Sequence, residues 1–282
     1  MPTSTFYEIE RKIKNPNAEK EDADLRDKIE NIVLEFPGYG YRRVAKQLRK
    51  EGLVVNHKRV LRIMQQSDLL CSLQRAFKVM TTDSNHDYKK YPNLAKDMKL
   101  TGLNQLWVAD ITYIRIAKGF VYLAMIMDAF SRKVVGYAIS ESIDTELALV
   151  ALKQAVALRR PAAGCVHHSD QGIQYCSQEY IQFLQDNEFG ISMSRRGNCY
   201  DNAKAESFFK TLKKEEVYLY DYETVADVKK RIPYFIEQVY NKKRLHSGLG
   251  YCSPDDFEKS LENTTQEKQP ERSNLSSKVF QG

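Results

Sequence analysis

The chain has 282 residues, of which 42% are hydrophobic and 28% are charged, and its formal net charge is +6. This composition is typical of a folded globular protein and excludes collagenous and low-complexity chains. The longest apolar run, residues 120–127, is much shorter than the roughly 20 residues of a membrane-spanning helix, so we expect no membrane partner. The polar first residues and five scattered cysteines predict a cytosolic protein with free thiols.

The first part of the chain predicts helices. Residues 1–37 form an N-terminal helical segment in this interpretation, because apolar residues recur at helical spacing before Pro37. Residues 38–79 predict a helix-turn-helix domain, with Asn56 as the N-cap of its last helix. Between residues 38 and 78 there are ten basic and two acidic residues, a charge pattern typical of DNA binding. The alternative is a small helical bundle with a solvated basic face. The side chains expected to contact DNA are Arg42, Arg43, Lys58, Arg59 and Arg62.

The remainder of the chain predicts an α/β domain. Residues 80–105 are polar and aperiodic and are interpreted as a linker. Residues 106–258 begin with three strands at hairpin spacing and continue with helices that alternate with short strands, which predicts a mixed sheet covered by helices. A last short helix is expected to begin at Ser253, and residues 259–282 are interpreted as a disordered tail.

Three carboxylates in this domain are candidates for catalysis. Asp110 lies within an apolar strand, Asp170 directly follows a second strand, and Glu206 lies in a helix with a basic face. Hard oxygen ligands of this kind suit Mg²⁺ or Mn²⁺, and two such ions about 4 Å apart support phosphoryl transfer. Each acid also has a structural alternative: a buried ion pair, a turn cap and a solvated helix position, respectively. The neighbouring Asp128 is interpreted as a hairpin-turn residue.

The spacing and surroundings of the acids carry a family resemblance. Thirty-five residues separate Asp170 from Glu206, and the acids lie in the words W-V-A-D-I-T-Y, H-S-D-Q-G and D-N-A-K-A-E-S-F. The chain also contains G-Y-G-Y-R-R-V near residue 40 and Y-N-K-K-R-L-H-S-G-L near residue 245. Together these words resemble the D, D-35-E pattern of retroviral-integrase-like transposases. The chain is identified as similar to the downstream-frame (OrfB) protein of the IS3 family of insertion-sequence transposases.

This resemblance implies a ribonuclease-H-like catalytic core in which Asp110, Asp170 and Glu206 are both the catalytic residues and the ligands of two Mg²⁺ or Mn²⁺ ions. It implies a transposase that cleaves element ends and transfers the freed 3′-hydroxyl to another phosphodiester. The implied partners are double-stranded DNA of the element ends and target, further copies of the chain in a homodimer or larger assembly on DNA, and the upstream-frame protein or its fusion. The implied location is the bacterial cytoplasm, in association with the nucleoid.

Basic residues near the acids are expected to bind the DNA backbone. Glu206, Lys210 and Lys213 fall on one face of one helix, so the two lysines are placed to hold phosphates, and Arg195 adds positive charge nearby. Arg244 and His246 are also candidate DNA contacts. The sequence leaves open whether these last two bind DNA or fix the C-terminal helices.

Three other functions are considered. Tyrosine recombinases need an H-x-x-R element, which the chain lacks. A simple nuclease on the same fold would use the same acids, so the sequence does not separate hydrolysis from strand transfer. A non-catalytic DNA-binding regulator is expected to have lost at least one acid, and all three are present.

Overall fold

A computed structural model of the chain describes residues 18–71, 88–194 and 202–267. The chain divides into two compact units, Met1–Arg75 and Ala76–Gly282. Within the described residues, no helix is both long and apolar enough to cross a bilayer.

The first unit contains three helices, which are α1 (Ala18–Glu35), α2 (Tyr41–Lys50) and α3 (His57–Gln66). Helix α1 buries an apolar stripe that includes Leu25 and Ile29, and α2 and α3 bury Val44 and Val60. Asn56 caps α3 as expected, since its side chain accepts a hydrogen bond from the Lys58 N–H at 2.9 Å. Helix α1 packs on both α2 and α3. The boundary between residues 1–37 and residues 38–79 stays a prediction.

The second unit is built on one five-stranded sheet. Its strands are β1 (Leu106–Ile116), β2 (Gly119–Asp128), β3 (Val134–Ser140), β4 (Val166–Ser169) and β5 (Gly190–Met193). The spatial order is β3-β2-β1-β4-β5. Strand β2 pairs antiparallel with both β1 and β3, whereas β4 pairs parallel with β1 and with β5. This is the mixed sheet that the sequence predicted.

Helices cover both faces of the sheet. They are α4 (Thr145–Arg159), α5 (Ile173–Cys176), α6 (Gln178–Asp186), α7 (Ala203–Glu215), α8 (Val225–Tyr234) and α9 (Pro254–Glu267). One face packs on α4 and α6, where Leu152 and Leu184 are buried with Trp107. The other face packs on α7 and α8, where Phe208 and Ile232 join the core. The sheet is therefore buried between two helical layers, which leaves its edges and strand ends as the accessible places for chemistry.

Gly136 allows β3 to approach α4 closely. A Cβ atom at Gly136 would lie 2.8 Å from the Ala155 Cβ and would also overlap the backbone oxygen of Ala151. We expect Gly136→Ala to lower the free energy of unfolding by about 3 kcal/mol, because neither backbone can move without disturbing the sheet. Urea denaturation measures this. The control is Gly102→Ala, whose Cβ would have its nearest neighbour at 3.7 Å; equal effects of the two changes would contradict the close-packing account.

The segment interpreted as a linker is attached to the core in its described part, residues 88–105. The Leu94 N–H donates to the Ser192 hydroxyl at 2.8 Å, and Met98 and Leu100 pack against the core. Apolar residues too widely spaced to show a period are thus partly buried against the core here. The preceding residues 80–87 lie outside the described part of the chain.

The C-terminal region also differs from the sequence interpretation. Helix α8 is followed by a π-helical segment, Phe235–Asn241, rather than by continued α-helix. Helix α9 continues to Glu267, so the interpreted tail at 259–282 begins as helix, and residues 268–282 lie outside the described part.

Candidate active site

Asp110 and Asp170 are placed next to each other by the pairing of two parallel strands. Strand β4 pairs with β1 only as far as Val108, which lies opposite His168. Two residues further along each chain come Asp110, still within β1, and Asp170, just after β4 ends. Parallel strands keep this register, so Asp110 and Asp170 lie beside each other at the C-terminal end of β4, where its pairing with β1 stops.

The backbone around Asp170 holds its carboxylate. The Gly172 N–H donates to the Asp170 Oδ1 at 2.9 Å, and the Ser169 hydroxyl donates to the Asp170 backbone oxygen at 2.9 Å. Gly172 in turn precedes the short helix α5. The word H-S-D-Q-G therefore forms a turn that fixes an acid at the end of a strand.

Glu206 approaches from helix α7, which lies against β1. The Asn202 side-chain amide donates to the Ala109 backbone oxygen at 3.0 Å, which attaches the beginning of the helix beside Asp110. The Glu206 side chain is 35% exposed, and its Oε2 lies 3.4 Å from the Lys210 Nζ. Glu206 is thus near the strand acids, and its partner in this structure is the exposed ammonium group of Lys210.

The electrostatics show that the charges of Asp170 and Glu206 act on Asp110. Burial raises the pKa of Asp110 to about 8, and the negative charges of Asp170 and Glu206 add to this rise. The Ile111 N–H and the charge of Lys213 act in the opposite direction. A nearby cation would favour the ionised form of this partly buried carboxylate, which two like charges disfavour.

The acids do not form a finished metal cage. Across the described ranges, no three His, Cys, Asp or Glu side chains stand close enough together to hold one ion. The Glu206 carboxylate faces Lys210, at 3.4 Å from its Nζ, and the Glu206 side chain is 35% exposed. The all-oxygen donor set fits Mg²⁺ or Mn²⁺ rather than zinc.

Comparison with known proteins places the chain in a family. A family model described as an integrase core domain matches residues 101–199, a second of that description matches residues 187–254, and an HTH-like domain model matches residues 19–77. The chain is 39% identical over 246 residues to the transposase for insertion sequence element IS904 of Lactococcus lactis, which covers 83% of this chain and 93% of that protein. The chain belongs to the IS3 family of insertion-sequence transposases.

Two further relatives agree with this assignment. The insertion element IS600 uncharacterized 31 kDa protein of Shigella sonnei is 38% identical over 249 residues, which cover 87% of this chain and 91% of that protein. The InsF transposase of an IS3 element of Escherichia coli is 34% identical over 220 residues, which cover 78% of this chain and 76% of the relative. The chain is thus a DNA transposase of the integrase type, an enzyme of the polynucleotidyl transferase class.

The fold class is confirmed as well. The strand order and the integrase core match give the transposase a ribonuclease-H-like core, preceded by a helix-turn-helix-like region. Among solved structures, the HTLV-2 integrase catalytic core domain in complex with magnesium aligns with 55% of this chain and 95% of that chain, at 16% identity and a TM-score of 0.42.

Lys213 lies beside the acids of the transposase. Its Nζ is 4.3 Å from the centroid of the Tyr113 ring, and burial lowers its pKa while the charge of Asp110 opposes this shift. Lys210 is 80% exposed and pairs with Glu206. The predicted phosphate contacts on this helix are therefore a half-buried lysine near the acids and an exposed one further out. Arg195 lies outside the described residues.

The expected DNA contacts of Arg244 and His246 need correction. The Arg244 guanidinium donates to both carboxylate oxygens of Glu215 at 2.7 Å, and the two side chains are 4% and 5% exposed. His246 is buried and its ring lies 4.8 Å from that of Tyr240. Of the two roles left open, the structure favours fixing the C-terminal helices, because neither side chain is accessible to a DNA backbone.

The basic residues of the first unit divide into two groups. Arg59 and Arg62 both bind Asp22 on α1, with nitrogen–oxygen distances of 2.7 and 2.6 Å. Burial acts to raise the pKa of Asp22, but the two guanidiniums outweigh it and hold that pKa below its ordinary value. Lys58 and Arg42 are exposed, and Arg43 lies against the Tyr39 ring. The sequence missed Asp22 because a helix pattern does not show which charge a helix face meets.

Proposed function

We propose that the transposase cleaves the ends of its insertion element and directs the freed 3′-hydroxyl at a second phosphodiester, by phosphoryl transfer assisted by two divalent cations. The observation that carries this proposal is that two carboxylates act electrostatically on a third: the pKa of Asp110 is raised to about 8 by burial and by the charges of Asp170 and Glu206. Such an arrangement is unfavourable without a cation and suits one that binds together with DNA.

Each residue of the site has a distinct role in this proposal. Asp110, Asp170 and Glu206 would hold Mg²⁺ or Mn²⁺, which when bound activates the attacking oxygen and stabilises the leaving oxygen. Asp170 is kept in place by the Gly172 N–H, so its carboxylate needs little rearrangement. Lys213 binds a phosphate oxygen of the cleaved strand next to these acids.

The test uses labelled element-end DNA incubated with the full chain, with and without Mg²⁺. We expect a nick at the element end that depends on Mg²⁺, followed by a product in which the labelled 3′ end is joined to a second strand. Nicking without any joined product would instead identify a nuclease, because hydrolysis and strand transfer differ only in whether water or the 3′-hydroxyl attacks. Products that form equally well in EDTA would contradict both metal-dependent strand transfer and metal-dependent hydrolysis.

The first unit is proposed to bind double-stranded DNA through the exposed side of α2 and α3. Lys58 lies at the start of α3 and Arg42 at the start of α2, where neither is engaged by an acid in the described residues. The N-terminal residues of a recognition helix are the ones that reach base edges in helix-turn-helix proteins.

Because two element ends and a target must be brought together, we also propose a homodimer or larger assembly on DNA, with the upstream-frame protein as a further partner.

Neutralising Asp22 should strengthen DNA binding. Asp22→Asn removes the ion pairs that Arg59 and Arg62 make with Asp22, and both arginines are more than one-third exposed. Arg59 keeps a longer contact with Glu21, at 3.5 Å. We expect DNA affinity at low salt to rise roughly 3- to 10-fold and the salt dependence to steepen by about one to two counterions. Fluorescence anisotropy across a salt series measures both quantities.

The matched control is Asp27→Asn on the same helix. It removes the same charge, but its carboxylate accepts only from the adjacent Arg26 among the contacts seen. If Asp22→Asn and Asp27→Asn strengthen binding equally, the gain comes from net charge and not from the released arginines.

A further inference from the structure

Asn202 makes an unusual contact for its position. It is the N-cap residue of α7, where an asparagine side chain ordinarily accepts a hydrogen bond from its own helix, but it makes no such bond here. Its Nδ2 donates instead to the backbone oxygen of Ala109 on β1, at 3.0 Å. The residue is 7% exposed, and its Oδ1 finds no donor among the described residues.

This bond joins the two elements that carry catalytic acids. Ala109 immediately precedes Asp110 on β1, and Asn202 precedes Glu206 by four residues on α7. Residues four apart lie on the same face of a helix, about 6 Å apart along its axis. The bond therefore sets the separation between the strand that carries Asp110 and the helical turn that carries Glu206.

The two ends of α7 are attached to the core in different ways. The C-terminal end is held by the buried ion pair of Glu215 with Arg244, nine residues after Glu206. At the N-terminal end, Asn202 bonds to the strand and Ala205 is fully buried against the sheet. An apolar residue in the place of Asn202 would fill the space but would leave the Ala109 oxygen without this donor, so the amide joins the helix to the strand by a bond that packing alone does not supply.

We propose that Asn202 is a positioning residue, which holds Glu206 beside Asp110 so that both carboxylates reach the same divalent cation. The proposal rests on the function proposed above. It also gives a reason for the asparagine four residues before Glu206 in the segment D-N-A-K-A-E, although the side-chain bond that Asn202 makes is to a backbone oxygen and not to an acid.

The test measures Mn²⁺ binding by electron paramagnetic resonance, in the full chain with element-end DNA. We expect Asn202→Ala to weaken Mn²⁺ binding about 10- to 100-fold, as loss of a group that orients a ligand does. Affinity for DNA without a divalent cation should stay within about twofold, because Asn202 is only 7% exposed. The control is Asn187→Ala, which removes a similar amide bond to the Phe183 oxygen at the end of α6 and should leave Mn²⁺ binding unchanged.

A second variant, Asn202→Ser, keeps a donor at this position and is expected to recover part of the Mn²⁺ affinity that the alanine variant loses. Wild-type Mn²⁺ affinity in folded Asn202→Ala overturns the positioning role. A loss of Mn²⁺ affinity in both variants that is proportional to the fall in their thermal unfolding midpoints also overturns it, because such a correlation indicates that the bond only stabilises the fold. A wild-type chain that binds no Mn²⁺ at all contradicts the proposed function itself, which separates the two failures.

Discussion

Asp170→Asn is expected to reduce strand cleavage roughly a thousandfold or more, because it removes a metal ligand from a site that works through its charge. The change preserves shape, and the asparagine oxygen keeps the hydrogen bond from the Gly172 N–H. The strand end should therefore stay folded. Removing the negative charge should also lower the pKa of Asp110 toward its ordinary value, since that charge contributes to the rise.

Cleavage of labelled element-end DNA in Mg²⁺ measures the first effect, and anisotropy in EDTA measures DNA affinity, which we expect within about twofold of wild type. The control is Asp186→Asn at the end of α6, the same chemical change at an exposed carboxylate that accepts from Gln182. If the cleavage rate of Asp170→Asn stays within tenfold of the rate of Asp186→Asn, Asp170 is not a catalytic residue.

Arg244→Met is expected to lower the free energy of unfolding by about 3–5 kcal/mol, because it leaves the buried carboxylate of Glu215 without its partner. Glu215→Leu should cost a similar amount for the converse reason, since the guanidinium is 4% exposed. The double variant should recover most of the loss, because two apolar side chains of similar volume replace the pair. Urea denaturation of the three variants measures these differences.

The same variants also separate the two roles considered for Arg244. If its role is structural, the double variant should bind DNA like the wild type under conditions in which it is folded. A single variant that costs less than about 1 kcal/mol, together with weaker DNA binding by the double variant, would contradict the buried-pair account.

The sequence was informative where a local pattern decides the structure. The apolar pattern of residues 120–127 and of the neighbouring hairpin strands predicts strands. The pattern exists because these strands pack against one another and against helices on both faces of the sheet. The N-cap of α3 followed from Asn56, whose side chain bonds locally. Asp128 accepts from the Phe130 and Ser131 N–H groups, as a turn residue does, in agreement with its sequence interpretation.

The sequence was uninformative where distant residues decide. Asp22 binds Arg62 across 40 residues, and Arg244 binds Glu215 across 29, so the sequence pattern showed neither carboxylate partner. The amide bond from Asn202 to Ala109 spans 93 residues and has no periodic signal. Helix α5 has four residues, too few to show a helical repeat. The three acids were located through a family resemblance, and their coupling became visible only in the fold.

The account depends most on Asp110, Asp170 and Glu206 binding divalent cations together. Anomalous diffraction from crystals of the full chain with element-end DNA and Mn²⁺ tests this directly. We predict two manganese peaks about 4 Å apart, with carboxylate oxygens of all three residues at about 2.2 Å from one or both ions. Peaks that lie elsewhere, or a Glu206 carboxylate that remains on Lys210 while the two aspartates bind metal, would contradict the three-acid site.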